Sequence, residues 1–323
     1  MRAAVVTPNG VEIREVTAPT PTASQVLVRV RACGLNRADL AVAAGHAHGA
    51  VGGEGTIVGM EFAGEVVETG SEVRHVKAGD RVMCSGAAAF AEYAVADWGR
   101  VHTLPSAGMG FDAAATLPIA LQTMHNALVT VGGLKKGESV LIQGASSGVG
   151  IMGLQIARHM GAAFVIGTST SAARRAKLLE WGADLAVDTA NPAWADEVVA
   201  ATEGKGVHLI VDQVSASVAN GNLKAARVLG RIVNVGRLGG SKGEFDYDLH
   251  AMKRISYIGV TFRTRSVEEV REINRLMRAD LWEAAAAGKL RLPIDRTFAL
   301  EEVVAALAYM KANSHFGKVV LRV

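Results

Sequence analysis

The chain has 323 residues, 50% of them hydrophobic, 20% charged and 36 of them glycine, which suits two compact domains each able to bury its own core. A formal charge of +3, with never more than two Lys or Arg in succession, argues against nucleic acid or an anionic membrane surface as a partner. Two cysteines, Cys33 and Cys84, are too few for a disulfide framework or a four-cysteine zinc lobe, so a reduced, cytoplasmic setting is expected. In chain order, Asn9-Gly10 signals a hairpin between strands at 3–6 and 11–16, and Met1–Val6 runs straight into it without the long apolar core of a signal peptide. Residues 26–31 alternate as a strand, 58–68 read as a longer strand broken by glycines, and Lys77-Ala78-Gly79-Asp80 reads as a turn into the next strand. Many short strands with glycine turns predict a small β-barrel-like module. The uncharged stretch 113–134 holds Pro118, Gln122, His125 and Asn126, and reads as a buried helix rather than a membrane span.

From about residue 120 the rhythm becomes strand, glycine turn, helix. Strands are predicted at 139–143, 164–168, 185–187, 207–214 and 231–235, with helices at 148–160 and 171–181 among those between them. Such alternation builds a parallel, doubly wound sheet. After residue 259 the pattern breaks. Ser266-Val267-Glu268-Glu269 fits a capping box opening a long helix that ends near Gly288, and 316–323 reads as a strand that returns to the first module for its partners.

Gly144-Ala145-Ser146-Ser147-Gly148-Val149-Gly150 follows an apolar strand and opens a helix, the context in which a glycine-rich turn cradles a pyrophosphate. The literal G-x-G-x-x-G at Gly148, Gly150 and Gly153 starts too late for the strand end. The earlier register is preferred, with Ala145 at the tight turn and Gly153 allowing close helix–sheet packing. NAD sites place an acid about 20 residues on, yet no Asp or Glu stands between Glu138 and Glu180. The second strand ends instead in Thr168-Ser169-Thr170-Ser171, followed by Arg174 and Arg175. Hydroxyls and guanidinium groups suit a 2′-phosphate, so NADPH is the expected cofactor. The alternative is that both arginines merely solvate a helix face.

Five segments carry a family resemblance across nearly the whole chain. Besides the glycine turn they are Gly34-Leu35-Asn36-Arg37-Ala38-Asp39-Leu40, Gly59-Met60-Glu61-Phe62-Ala63-Gly64, the pair Gly79-Asp80-Arg81-Val82 and Phe90-Ala91-Glu92-Tyr93, and the strands around Asp212-Gln213-Val214 and Gly230-Arg231-Ile232-Val233. Together they resemble the zinc-free quinone oxidoreductase branch of the medium-chain dehydrogenase/reductase family. The resemblance implies an α/β chain: a GroES-like β-barrel domain from residues 1–121 and 261–323, a Rossmann domain from 122–260, and a cleft between them as active site.

It also implies roles. Asn36 is the candidate to hydrogen-bond the oxygen that gains charge on reduction or to order the nicotinamide ribose, with Asp39 orienting it or capping a helix. Thr123 matches a threonine near the carboxamide, Val214 and Val235-Gly236-Arg237 line the nicotinamide side, and Lys318 is placed to reach a cofactor phosphate. Zinc-dependent members carry Cys where Asn36 stands and His where Met60 stands, and a thioether and an amide suit zinc poorly. Cys33, Cys84, His46 and His48 match no standard site, so no metal is expected. The implied activity is NADPH-dependent reduction of quinones or α,β-unsaturated carbonyls by a homodimer. An NADPH-binding sensor with little turnover and an alcohol or aldehyde dehydrogenase are the rivals.

Overall fold

The structure is a computed structural model and describes residues 1–49 and 51–323. The chain forms two compact units, Met1–Ile119 with Phe262–Val323, and Ala120–Thr261. In chain order the first unit contributes β1 (Arg2–Thr7), β2 (Gly10–Glu15), β3 (Gln25–Gly34), β4 (Glu61–Thr69), β5 (Arg81–Ser85), β6 (Tyr93–Asp97) and β7 (Val101–Thr103). The second contributes β8 (Ser139–Ile142), β9 (Phe164–Thr168), β10 (Leu185–Val187), β11 (Val207–Asp212), β12 (Ala226–Asn234) and β13 (Ser256–Gly259). The chain then returns to the first unit with β14 (Ile294–Ala299) and β15 (Lys318–Arg322).

In the first unit β1 and β2 pair antiparallel, with Thr7 opposite Gly10. The turn sits on Pro8 and Asn9, one residue earlier than the Asn9-Gly10 reading placed it, and Gly10 supplies a φ of +110° at the start of β2. The larger sheet runs β14-β15-β3-β4-β5-β7, with β6 also on β3. Its centre is β3, where Val28 and Val30 are buried while Arg29 and Arg31 face out, the two-residue period of a half-buried strand. One edge of β3 takes β4, and the other is shared by β6 along residues 25–29 and β15 along 32–34. The terminal strand is thus held between β14 and β3, and its burial beneath Leu300, Val303 and Met310 ties both ends of the chain into one core. The strand expected at 58–68 begins only at Glu61, after Gly59 takes a φ of +107°. Helix Val267–Ala286 is capped by Ser266, whose Oγ accepts from Glu269 N at 3.2 Å while Glu269 accepts from Ser266 N at 2.8 Å.

The second unit is one six-stranded sheet in the order β10-β9-β8-β11-β12-β13, with every neighbouring pair parallel. Counting from β8, this is 3-2-1-4-5-6, so the winding reverses between β8 and β11, where a doubly wound sheet opens its ligand crevice. All four residues of β8 are buried, as the near-continuous apolar sequence of a two-sided parallel strand requires. The uncharged stretch 113–134 contains helix Pro118–His125, which continues as a wider π-turn over Asn126–Val131. Among the described residues no helix is long and apolar enough to cross a membrane.

Candidate functional site

In the second unit the chain leaves β8 through Gln143 and turns at Gly144 into helix Gly148–His159. Gly144 has a φ of +67° and is the tight-turn residue, a position expected for Ala145. Ala145 is instead fully buried, and its N–H donates to Thr168 O at 2.9 Å. Gly150 answers to space: a Cβ there would lie 2.5 Å from Gly144 O and 2.7 Å from Ala145 Cα. At Gly153 a Cβ would meet Met124 Sδ at 3.1 Å, so this glycine lets the helix lie close to its surroundings.

Ser147 caps the helix, its Oγ accepting from Gly150 N at 3.0 Å. The N–H groups of Ser146, Gly148 and Val149 have no acceptor among the described residues. Three free donors at the positive end of a twelve-residue helix form an anion cradle.

The residues after β9 divide into pinned and free. Thr168 is buried; its hydroxyl donates to Gln143 Oε1 at 2.8 Å and accepts from Gly144 N at 3.0 Å. Both bonds hold the turn after β8 against the end of β9. Ser169 is also buried, with its Oγ 3.2 Å from Ser146 Oγ, while Thr170 is exposed. Ser171 caps the next helix by accepting from Arg174 N at 3.4 Å. Arg175 bonds Ser169 O at 2.9 Å and pairs with Asp188 at 2.8 Å. The half-buried Arg174 guanidinium has no partner among the described residues.

At the ends of β11 and β12 the backbones nearly touch. Val235 N and Gly236 N reach Asp212 O at 2.7 and 3.2 Å, and a Cβ on Gly236 would stand 2.6 Å from Gln213 O. Val214 is half-buried beside Gly144, Arg237 is exposed, and Thr123 is half-buried on helix Pro118–His125.

Beneath these turns lies a network that motif reading missed. Gln143 Nε2 donates to Asn222 Oδ1 at 2.7 Å, and Asn222 Nδ2 to Asp212 Oδ2 at 3.0 Å. Asp212 Oδ1 accepts from Val214 N at 2.8 Å and Ser215 N at 2.9 Å. Burial raises the Asp212 pKa, opposed by those N–H bonds. The available signal was that Gln143, Gln213 and Asn234 each close an apolar strand, where a carboxamide is out of pattern.

In the first unit, Asn36 precedes helix Arg37–Ala43 and meets a buried ion pair. Glu61 is fully buried; its Oε2 accepts from Ile119 N at 2.9 Å, and its Oε1 accepts from Asn36 Nδ2 at 2.9 Å and from the Lys318 ammonium. Lys318 also donates to Leu35 O at 2.8 Å and to Asn36 Oδ1 at 3.1 Å. An ammonium has three N–H donors, and all three are used here within a 3% exposed side chain. In this structure the Lys318 ammonium, expected beside a cofactor phosphate, is bonded to Glu61, Leu35 O and Asn36.

Asn36 is held by the same cluster. With a donor at its Oδ1 and acceptors at its Nδ2 (Glu61, and Gly34 O at 3.3 Å), its amide orientation is fixed and both N–H groups point inward. Asp39 is fully buried, its Oδ2 accepting from Asn36 N at 2.7 Å and its Oδ1 having no partner. Burial lifts its pKa to about 7, with the Asn36 N–H and the Lys318 charge pulling down and the Glu61 charge pushing up. A carboxyl so placed caps the helix and holds Asn36. Gly34 is required by the cluster, since a Cβ there would fall 2.3 Å from Ala115 O and 2.7 Å from Glu61 Oε1. Among the described residues no group of three or more His, Cys, Asp or Glu side chains converges to hold a metal ion.

Residues 22–106 match the alcohol dehydrogenase GroES-like domain, and residues 148–279 match the zinc-binding dehydrogenase domain. The chain is 29% identical over 324 residues to the low-reducing polyketide synthase drtA of Aspergillus calidoustus, a match spanning 97% of this chain but 13% of that protein. It likewise spans only 12% and 14% of the next two curated relatives, both polyketide synthase chains. Among solved structures, a mycobacterial quinone oxidoreductase superposes with a TM-score of 0.87 at 25% identity, covering 100% of both chains. The CurK enoyl reductase superposes with a TM-score of 0.86 at 25% identity, covering 99% of each. A GroES-like unit and a Rossmann-like parallel sheet, each matched by its own domain family in series, place this chain in the medium-chain dehydrogenase/reductase family.

Proposed function

We propose that the chain is an NADPH-dependent reductase of carbon–carbon double bonds conjugated to a carbonyl, working without a metal. The observation that carries the metal-free reading is the Lys318 ammonium, bonded to Glu61 and to Asn36 Oδ1. Met60 offers a thioether, Asn36 turns both N–H groups inward, and Glu61 already holds three donors. A dication at those oxygens would be repelled by the ammonium, so these residues do not fit the zinc that the family's name evokes.

The second unit fits a dinucleotide. The free N–H groups of Ser146, Gly148 and Val149 would hold the pyrophosphate, and the unpaired Arg174 the 2′-phosphate, with exposed Thr170 beside it. When bound, NADPH supplies the hydride. Asn36 and Asp39 spend their hydrogen bonds inward, so their part in this reading is to shape the wall of the first unit. Without a Lewis acid, an alkene already activated by its carbonyl is the easier electrophile. The polyketide synthase relatives and the CurK enoyl reductase support that class. The quinone oxidoreductase neighbour favours quinones as the second reading.

The test follows NADPH oxidation by metal-stripped protein against a crotonyl thioester, a simple enone, a benzoquinone and an aldehyde, with NADH alongside. Turnover of the thioester or enone with NADPH preferred supports the proposal. Turnover of the aldehyde alone, and only once zinc is restored, would replace it with an alcohol dehydrogenase; coenzyme binding with no turnover would favour a sensor. The proposal includes a homodimer through β13, which ends its sheet with Tyr257 38% exposed. A monomeric mass by light scattering at assay concentration removes that part.

A further inference from the structure

Ser215 stands immediately beyond β11 with φ +69° and ψ −124°, a conformation that an L-residue adopts only under constraint. It is buried, and its constraints are visible. Its N–H donates to Asp212 Oδ1 at 2.9 Å, its Oγ donates to Gly236 O at 2.5 Å, and the same Oγ accepts from Asn234 Nδ2 at 2.5 Å. Glycine would relieve the strain but would lose both bonds made by the hydroxyl. The serine therefore ties the turn after β11 to the turn after β12, where Gly236 lies against Gln213 O.

The sheet order says which part of a dinucleotide these turns face. The pyrophosphate cradle lies after β8, and Arg174 follows β9 on one side of it, which places the 2′-phosphate and its adenosine there. The other half of the molecule then extends over the ends of β11 and β12, on the opposite side of β8. We infer that Ser215 is a positioning residue for the nicotinamide half of the coenzyme, holding Val214 and Val235-Gly236 in the mutual placement that receives it. This inference rests on the dinucleotide reading above.

Calorimetric titration of wild type, Ser215→Gly and Ser215→Ala with NADP⁺ and with 2′,5′-ADP, which lacks the nicotinamide half, tests it together with the melting temperature of each protein. Ser215→Gly suits the positive φ and should melt no lower than wild type. Its Kd for NADP⁺ should rise about tenfold, as expected for two lost hydrogen bonds partly replaced by water, while 2′,5′-ADP binds unchanged. Ser215→Ala keeps the strain, so it should show the same selective loss at a lower melting temperature. NADP⁺ binding unchanged in Ser215→Gly, or equal weakening of both ligands, overturns the positioning role. Failure of wild type to bind either ligand overturns the dinucleotide reading and this inference with it.

Discussion

The head of helix Gly148–His159 and the residues around Asn36 were singled out by the same kind of motif, yet their hydrogen-bond donors are spent differently. At the glycine turn, three backbone donors have no acceptor among the described residues, and the Arg174 guanidinium after β9 likewise has no partner among them. Around Asn36, every donor of Lys318 and Asn36 is consumed within the fold. Unspent donors at a helix end invite a ligand, whereas a closed ring of buried charge resists intrusion. A motif names residues; only the balance of their hydrogen bonds says whether they bind something or hold the chain together.

The sharpest way to break the comparison is to open the closed cluster. Lys318→Met leaves Glu61 ionised, buried and unpaired, a change expected to cost about 3–5 kcal/mol in urea unfolding. The double variant Lys318→Met with Glu61→Gln should recover a substantial part of that loss. If Lys318→Met unfolds like wild type, the ion pair is not what closes this site.

A second perturbation is pH. Burial pushes the Asp39 carboxyl up to about 7, from an ordinary value of 3.8. Because the folded value is raised, the stability tied to its proton is fully present below about pH 4 and is lost as pH rises towards and through 7. At 1.36 kcal/mol per unit the loss has an upper limit of about 4 kcal/mol. Asp39→Asn, which cannot ionise, should flatten the stability profile between pH 4 and 7. An unchanged slope would show that another group is titrating.

These two tests concern residues whose roles could not be read from the chain. The hairpin at Pro8-Asn9, the Ser266–Glu269 capping box and the strand–turn–helix alternation were legible because each is written in neighbouring residues. The Asn36 motif was legible as a motif, but its meaning depends on Lys318, 282 residues further along. Thr168 shows the same dependence: a hydroxyl at a strand end is expected to meet a ligand, and in the fold it donates to Gln143, 25 residues earlier. The carboxamide network under the turns has no local signature, since its members lie just beyond β8, on β11 and β12 and on the helix Ala219–Ala225, and meet only in the folded sheet.

In the open site, space is the first thing to alter. A methyl group at Gly150 would overlap the backbone of Gly144 and Ala145, neither of which can move without dragging the turn away from β8. Gly150→Ala should cost about 1–3 kcal/mol of stability, with nucleotide binding lost in calorimetry because the cradle itself is displaced. Full retention of NADP⁺ affinity would mean that the pyrophosphate lies elsewhere.

The finest distinction is between two adjacent arginines, of which Arg174 is the one expected to meet the 2′-phosphate. Arg175 is already neutralised by Asp188 and bonded to Ser169 O, so it has little left to offer a phosphate. Arg174 has no partner among the described residues, so it can offer the 2′-phosphate a charge-assisted bond of about 1.5–3 kcal/mol. Arg174→Ala should therefore raise the KM for NADPH about 10- to 100-fold while leaving NADH nearly unaffected. Arg175→Ala should shift both coenzymes slightly and equally, through loosening of the Ser169 turn. Equal effects of Arg174→Ala on the two coenzymes would place the 2′-phosphate away from this helix. The reverse pattern, with Arg175 carrying the selectivity, would mean that the Asp188 pair breaks to receive the phosphate and that this site, too, is partly closed at rest.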